Sequence, residues 1–131
     1  MGEELSMILT VMRISKEQLA EMLEDKRLTV IDLRLNWDAC TTKIKNAVHE
    51  DPIDIDAWSA KYDREHALVL YCSTPEEKTS CDAARNLLRK GFTNVRVLSG
   101  GWFVWESANL PVQSKTKAPL PGKLIKGLMS D

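Results

Sequence analysis

The stretch Ala67-Leu68-Val69-Leu70-Tyr71-Cys72-Ser73-Thr74-Pro75-Glu76-Glu77-Lys78-Thr79-Ser80-Cys81-Asp82-Ala83-Ala84 decides how the chain reads. Its first five residues are apolar without alternation, as a strand covered on both faces of a parallel sheet requires. The run stops at Cys72, and residues 73–78 are turn-like. A helix follows from Thr79 or Ser80, with Cys81, Ala84, Leu87 and Leu88 at helical spacing and Gly91 as its left-handed stop. This order places Cys72 at the carboxyl end of a sheet strand, where ligand sites of open α/β sheets lie.

The flanks repeat the alternation. Residues 14–23 read as a helix: Ser15 and Gln18 are spaced for a reciprocal capping box, and Leu19, Met22 and Leu23 share a face with Ile14. Residues 28–32 form a short β-branched strand, 47–48 a brief second one, and 54–62 a helix with Ile55 and Trp58 turned inward. Residues 94–98 give another strand, Ser99-Gly100-Gly101 a tight turn, and 102–107 a last short helix. Such alternation predicts an α/β fold on a mainly parallel sheet. One domain spans residues 1–131, with its core over 13–112 and no internal repeats. From Gln113 the composition shifts to Lys115, Lys117, Lys123 and Lys126 with Pro119 and Pro121, the mark of a surface-lying or disordered tail. Within it Leu124, Ile125, Leu128 and Met129 would make one amphipathic turn.

Composition removes several function classes. A chain of 131 residues holds one core without disulfides or metal. With 44% hydrophobic and 28% charged residues and a net charge of −1, it is neither disordered nor basic enough to draw nucleic acid or an anionic membrane. The longest apolar stretch, residues 7–12, is interrupted by Thr10 and is far shorter than the ~20 residues of a membrane span. Glu3 and Glu4 stand where a secretory signal carries positive charge. Met1-Gly2 with Ser6 fits a myristoylation pattern so loose that it recurs by accident. A soluble, cytoplasmic protein is expected. Three cysteines (Cys40, Cys72 and Cys81) are odd in number and irregular in spacing, so they do not read as a disulfide framework. His49 and His66 offer no close-spaced zinc pair, and no metal or cofactor is expected.

Cys72 is the candidate nucleophile. The loop from Ser73 through Thr74, Pro75, Glu76, Glu77 and Lys78 to Thr79 would curl around the sulfur, with its amides and the helix N-terminus forming an anion cradle. A cysteine thiol titrates near 8.5, and a shift to ~6.5 takes about 2.7 kcal/mol of preference for the anion. Two charge-assisted amide bonds at roughly 1.5 to 3 kcal/mol each supply that, and the helix end adds up to ~1 kcal/mol. No histidine base is needed. On position alone, a small buried hydrophobe at a strand end explains Cys72 equally well. Cys81 falls on the inner face of the following helix and reads as packing; Cys40, in a polar stretch, reads as incidental.

Around Cys72, residues 13–112 resemble a single-domain rhodanese-like protein. The first strand ends in Asp32-Leu33-Arg34. Leu68-Val69-Leu70-Tyr71-Cys72 precedes a helix containing Ala83-Ala84-Arg85-Asn86-Leu87. Gly100-Gly101-Trp102-Phe103-Val104-Trp105 and Ala108-Asn109-Leu110-Pro111-Val112 close the pattern. The resemblance implies a three-layer sandwich, with about five mainly parallel strands and helices on both faces. It also implies a sulfurtransferase in which Cys72 accepts a sulfane sulfur, becomes a persulfide held by the loop amides, and passes the sulfur on. The partners would be a small sulfur-containing donor and a protein persulfide or thiol acceptor.

Three features depart from that family. Thr42-Lys43-Ile44-Lys45-Asn46-Ala47 stands for the usual Gly-His-Ile-x-Gly-Ala, with Ile44 and Ala47 still suited to packing. The loop, counted from Cys72 to Ala83-Ala84, is about two residues longer than in thiosulfate-using members and is similar to the Cys-x5-Arg loops of related phosphatases and arsenate reductases. Lys78 stands at the arginine position, and an ammonium cannot supply a bidentate fork. Glu76 and Glu77 bring negative charge into the loop. A carboxylate ~7 Å from the sulfur would oppose an anion by about 0.6 to 2.4 kcal/mol, though glutamate's preference for water turns the expectation outward. Asp32 and Arg34 either line the site or fasten loops; Arg34 is expected in an ion pair and Asp32 nearer the pocket. Trp102 and Trp105 read as packing. Two rivals stay open: a binding or regulatory module of the same fold with little turnover, and an oxyanion-handling relative.

Overall fold

The computed structural model describes residues 10–73 and 75–115. Its centre is five short strands: β1 (Met12–Ile14), β2 (Leu28–Asp32), β4 (Val48–His49), β5 (Ala67–Tyr71) and β6 (Val95–Leu98). All neighbours are parallel, in the order β1-β6-β5-β2-β4. The inner strands β2, β5 and β6 contribute side chains to two separate cores, one on each face, which explains the unbroken apolar run of β5. Leu68 and Leu70 join Ile31, Val95 and Val97 beneath α2 (Ile55–Ser59) and α3 (Lys78–Arg89). Val69 and Tyr71 join Val30, Leu98, Leu19 and Trp105 beneath α1 (Lys16–Met22) and α4 (Gly101–Ser107). Helix, sheet and helix make the three layers that the resemblance implied.

Local signals hold where they were strong. Ser15 and Gln18 form the reciprocal capping box of α1. Gly91, at φ +97°, ends α3. Asn46 takes φ +70° at the second glycine of the usual signature, a conformation asparagine tolerates, and its Nδ2 donates to the Leu23 carbonyl at 3.1 Å. Ile44 and Ala47 beside it are buried. The altered signature therefore keeps the turn and the packing.

Three strands differ from the sequence reading. β1 pairs with β6, whereas Ile14 read as the start of a helix. β3 (Thr42–Ile44) and β7 (Val112–Ser114) form a separate antiparallel ribbon, and the Lys115 amide donates to the Thr41 carbonyl at 3.0 Å. The ordered core thus runs past 112, and residues 113–115 belong to it rather than to the tail. Three-residue strands carry too little periodicity to read locally; their partners lie far away in the chain. Residues 1–9, including Met1-Gly2 and Ser6, and residues 116–131, including Leu124, Ile125, Leu128 and Met129, lie outside the described residues, as does Thr74. Among the described residues no helix is long and apolar enough to cross a membrane.

Candidate active site

Cys72 follows the last residue of β5, the middle strand of the sheet. It is only 4% exposed. Its carbonyl accepts from the Trp102 amide at 2.8 Å, which ties the strand end to the start of α4. The Cys72 Sγ lies 3.4 Å from Ser80 Oγ, and Ser80 Oγ lies 3.1 Å from the Glu77 carbonyl, to which it donates. Ser80 has one hydroxyl proton, so the two contacts compete. A thiol donates to Ser80 and leaves the hydroxyl on Glu77; a sulfur anion draws the hydroxyl proton to itself. Ser80 itself is fully buried.

Helix α3 starts at Lys78, ahead of the expected start at Thr79 or Ser80. Its first intrahelical bond is Cys81 N–H to the Glu77 carbonyl at 2.8 Å, so the amides of Lys78, Thr79 and Ser80 belong to the first turn, where no intrahelical acceptor exists. Glu77 precedes them at φ +65°. A left-handed residue beside a right-handed helical one is the backbone alternation that gathers successive N–H groups into an anion nest.

The two loop glutamates part company. Glu76 is exposed, as expected, and so is Pro75 of the proposed cradle. Glu77 is not a solvated charge: it is 8% exposed, with Arg13 Nε on one carboxylate oxygen at 2.8 Å and the Gly100 amide on the other at 2.7 Å. The expectation of an outward Glu77 is overturned because two distant donors replace its water. A left-handed glutamate costs about 1 to 3 kcal/mol. A buried amide bond to a carboxylate returns roughly 1.5 to 3 kcal/mol, and the half-exposed Arg13 adds a smaller, screened amount. Arg13 Nη2 also donates to Cys81 Sγ at 3.5 Å. Burial pushes the Cys81 thiol above its ordinary value, and Arg13 only tempers the rise.

Asp32 and Arg34 do form an ion pair, at 2.7 Å between Nη2 and Oδ2, with both side chains enclosed. Their expected placement is reversed, however. Asp32 is fully buried behind the site and accepts from the Tyr71 hydroxyl. Arg34 reaches the Thr42 carbonyl at 2.7 Å and lies over the Trp102 ring at 4.3 Å. It also lines a cleft of about 240 Å3 together with Asn36, Cys40, Thr42, Ser73, Trp102 and Glu106. Burial works against the guanidinium charge, but the Asp32 carboxylate together with Tyr71 and Cys40 more than offsets it, so Arg34 is held protonated. Tyr71 is pushed far above its ordinary range, first by burial and then by Asp32.

The sequence-predicted residues thus gather unevenly. Cys72 and Glu77 meet through Ser80, and Ser73 lies at the cleft, its hydroxyl donating to Asn36 Oδ1 at 2.9 Å. Thr79 is half-buried on a different groove with Leu35 and Ile53. Lys78 is exposed and pairs with Asp82 at 3.0 Å along the helix surface, so no cation from the phosphatase-type position enters the loop. Cys40 shares the cleft beside Ser73 instead of standing apart, and Cys81 packs on the inner face of α3 as expected. Sequence reasoning missed Ser80, Arg13 and the Gly100 amide. Ser80 had a readable signal: with Ala84 and Leu87 it lies on the buried stripe of α3, where a hydroxyl needs a polar partner. A larger open depression of about 660 Å3 lies by Leu28, His66 and Asn94, near the opposite, amino-terminal ends of β2, β5 and β6.

Comparison with known proteins agrees with the fold. Thiosulfate sulfurtransferase GlpE of Coxiella burnetii is 26% identical over 95 residues, 72% of this chain and 87% of that protein. Its namesake in Shewanella oneidensis is 28% identical over 96 residues, 73% and 93% of the two. Among solved structures, a Bacillus halodurans protein superposes with a TM-score of 0.71 at 20% identity, covering 94% of this chain and 93% of its own. A rhodanese-related protein from Thermoplasma volcanium gives 0.67 at 22% identity, covering 78% and 97%. The model of the rhodanese-like domain matches residues 15–108, and the chain belongs to the rhodanese-like domain family.

Proposed function

We propose that this protein is a sulfurtransferase whose single covalent residue is Cys72. The observation that carries the reading is the buried Cys72 sulfur at the end of β5, 3.4 Å from the Ser80 hydroxyl at the start of α3. In the first step the Cys72 thiol gives its proton to water. The thiolate attacks the outer sulfur of thiosulfate, the S–S bond of the donor breaks, and sulfite leaves with the bonding pair. The enzyme then holds Cys72–S–S⁻. Ser80 Oγ–H and the first-turn amides of α3 favour this anion over the bulk solvent. A thiophilic acceptor attacks the terminal sulfur in the second step, and the Cys72 thiolate departs as the leaving group. The cleft walled by Arg34 and Trp102 begins at Ser73, the next residue along the chain from Cys72, and is the approach we assign to donor and acceptor.

The two named relatives support thiosulfate as a donor to try first. The test is steady-state thiosulfate:cyanide exchange by the purified chain and by Cys72→Ser. Turnover by the wild type, abolished in the variant, is expected. Turnover that survives the substitution, or a wild type inert toward thiosulfate and toward persulfide donors, would overturn the proposal.

A further inference from the structure

The turn Gly100-Gly101-Trp102 grips the Cys72 loop at both of its ends. Trp102 N–H holds the Cys72 carbonyl at 2.8 Å, and Gly100 N–H holds Glu77 Oε2 at 2.7 Å. The remaining Glu77 oxygen reaches Arg13 Nε on β1 at 2.8 Å. Gly100 sits at φ +83°, and a Cβ there would meet Val104 Cγ1 at 2.4 Å. On the backbone side, the Glu77 carbonyl receives both the Ser80 hydroxyl and the Cys81 amide.

Residue 77 is where chain geometry alone would favour glycine. Glycine would permit the left-handed turn without selecting it, since it visits positive and negative φ about equally. A buried carboxylate strapped to two other elements selects it. We propose that Glu77 is a positioning residue for Cys72. Its carboxylate, braced by Gly100 and Arg13, fixes the turn that brings Ser80 Oγ to the sulfur. The inference rests on the sulfurtransferase reading and names how that site is held ready. Glu77 touches no substrate; it acts through the loop.

The test uses the full-length chain and three variants, Glu77→Gln, Glu77→Gly and Arg13→Met. Two rates are followed: iodoacetamide labelling of Cys72 against pH, mapped by peptide mass, and loading of sulfur from thiosulfate. Glu77→Gln and Glu77→Gly should move the labelling profile to higher pH and slow loading by about tenfold, the loss of one hydrogen bond to an anion. Arg13→Met should move both in the same direction by less. Glu77→Gly separates positioning from strain: it relieves the backbone, so a purely structural role predicts wild-type rates or better. Folded Glu77 variants whose profile and loading stay within about twofold of wild type would overturn the proposal. Should neither Glu77 variant fold, an unchanged Arg13→Met would overturn it by the same criteria. A wild type that loads no sulfur, while Glu77→Gly still shifts the labelling profile, would sink the sulfur chemistry and leave the positioning role standing. A wild type that loads sulfur, with Glu77 variants that load it equally fast and keep its labelling profile, would do the reverse.

Discussion

Asp32→Asn removes charge from a carboxylate enclosed on every side. Oδ1 accepts from the Arg34 amide and Nε, both at 3.0 Å, and Oδ2 from Arg34 Nη2 at 2.7 Å and from the Tyr71 hydroxyl. The variant leaves a guanidinium that is 3% exposed with neutral oxygens for partners, the amide oxygen of the new side chain and the Thr42 carbonyl. Breaking such a pair from one side costs about 3 to 5 kcal/mol. Trp102, its ring centroid 4.3 Å from the guanidinium carbon, offsets about a third of that, so about 3 kcal/mol is expected. Arg34→Met strands the carboxylate instead and should cost about 3 to 5 kcal/mol. The double variant removes both charges together. Its cost should fall short of the sum by about 2 kcal/mol or more, because no unpaired charge is left inside. Urea unfolding followed by tryptophan fluorescence reads all three: at a slope near 2 kcal/mol/M, each single change lowers the midpoint by roughly 1.5 to 2.5 M. Single variants costing under ~1 kcal/mol, or a cycle additive within ~0.5 kcal/mol, would refute the claim that this pair is a coupled buried unit.

Ser80→Ala should slow sulfur loading about tenfold, since one charge-assisted bond to the sulfur is lost; stopped-flow loading at wild-type speed would remove Ser80 from the mechanism. Cys81 should escape iodoacetamide at neutral pH in the native chain, because burial raises its thiol, and peptide mapping that finds it labelled as fast as an exposed thiol would contradict this. Tyr71 ionises far above its ordinary value in the folded chain. The unfolded chain loses that proton near pH 10, so the contribution is complete below pH 10 and declines as pH rises beyond it. Urea midpoints should therefore fall above about pH 10, less steeply in Tyr71→Phe, and identical slopes in the two proteins would count against the assignment.

Much of the scaffold was legible because it is written in local periodicity. β5 reads as a two-sided strand because both of its faces meet helices, and α1 announces itself through Ser15 and Gln18. The ribbon of β3 and β7 was not legible, since Thr42–Ile44 and Val112–Ser114 gain their geometry from each other across the chain. The same division runs through the site. Cys72 is marked by where its strand stops. Glu77 obeys partners 64 residues before it and 23 after it, so the local rule that glutamate seeks water gave the opposite expectation. Asp32 was misplaced for a related reason. Its register partner Tyr71 brings the hydroxyl that encloses it, and neither residue shows this in its neighbours along the chain.

The sulfur-carrying role of Cys72 is tested most directly by intact-mass measurement after the full-length chain meets thiosulfate or a persulfide donor, run beside Cys40→Ser, Cys72→Ser and Cys81→Ser. The account predicts a gain of one sulfur atom, reversed by cyanide, in the wild type and in the Cys40 and Cys81 variants, with none in Cys72→Ser. A sulfur gained by Cys72→Ser, or none gained by the wild type from either donor, would contradict it.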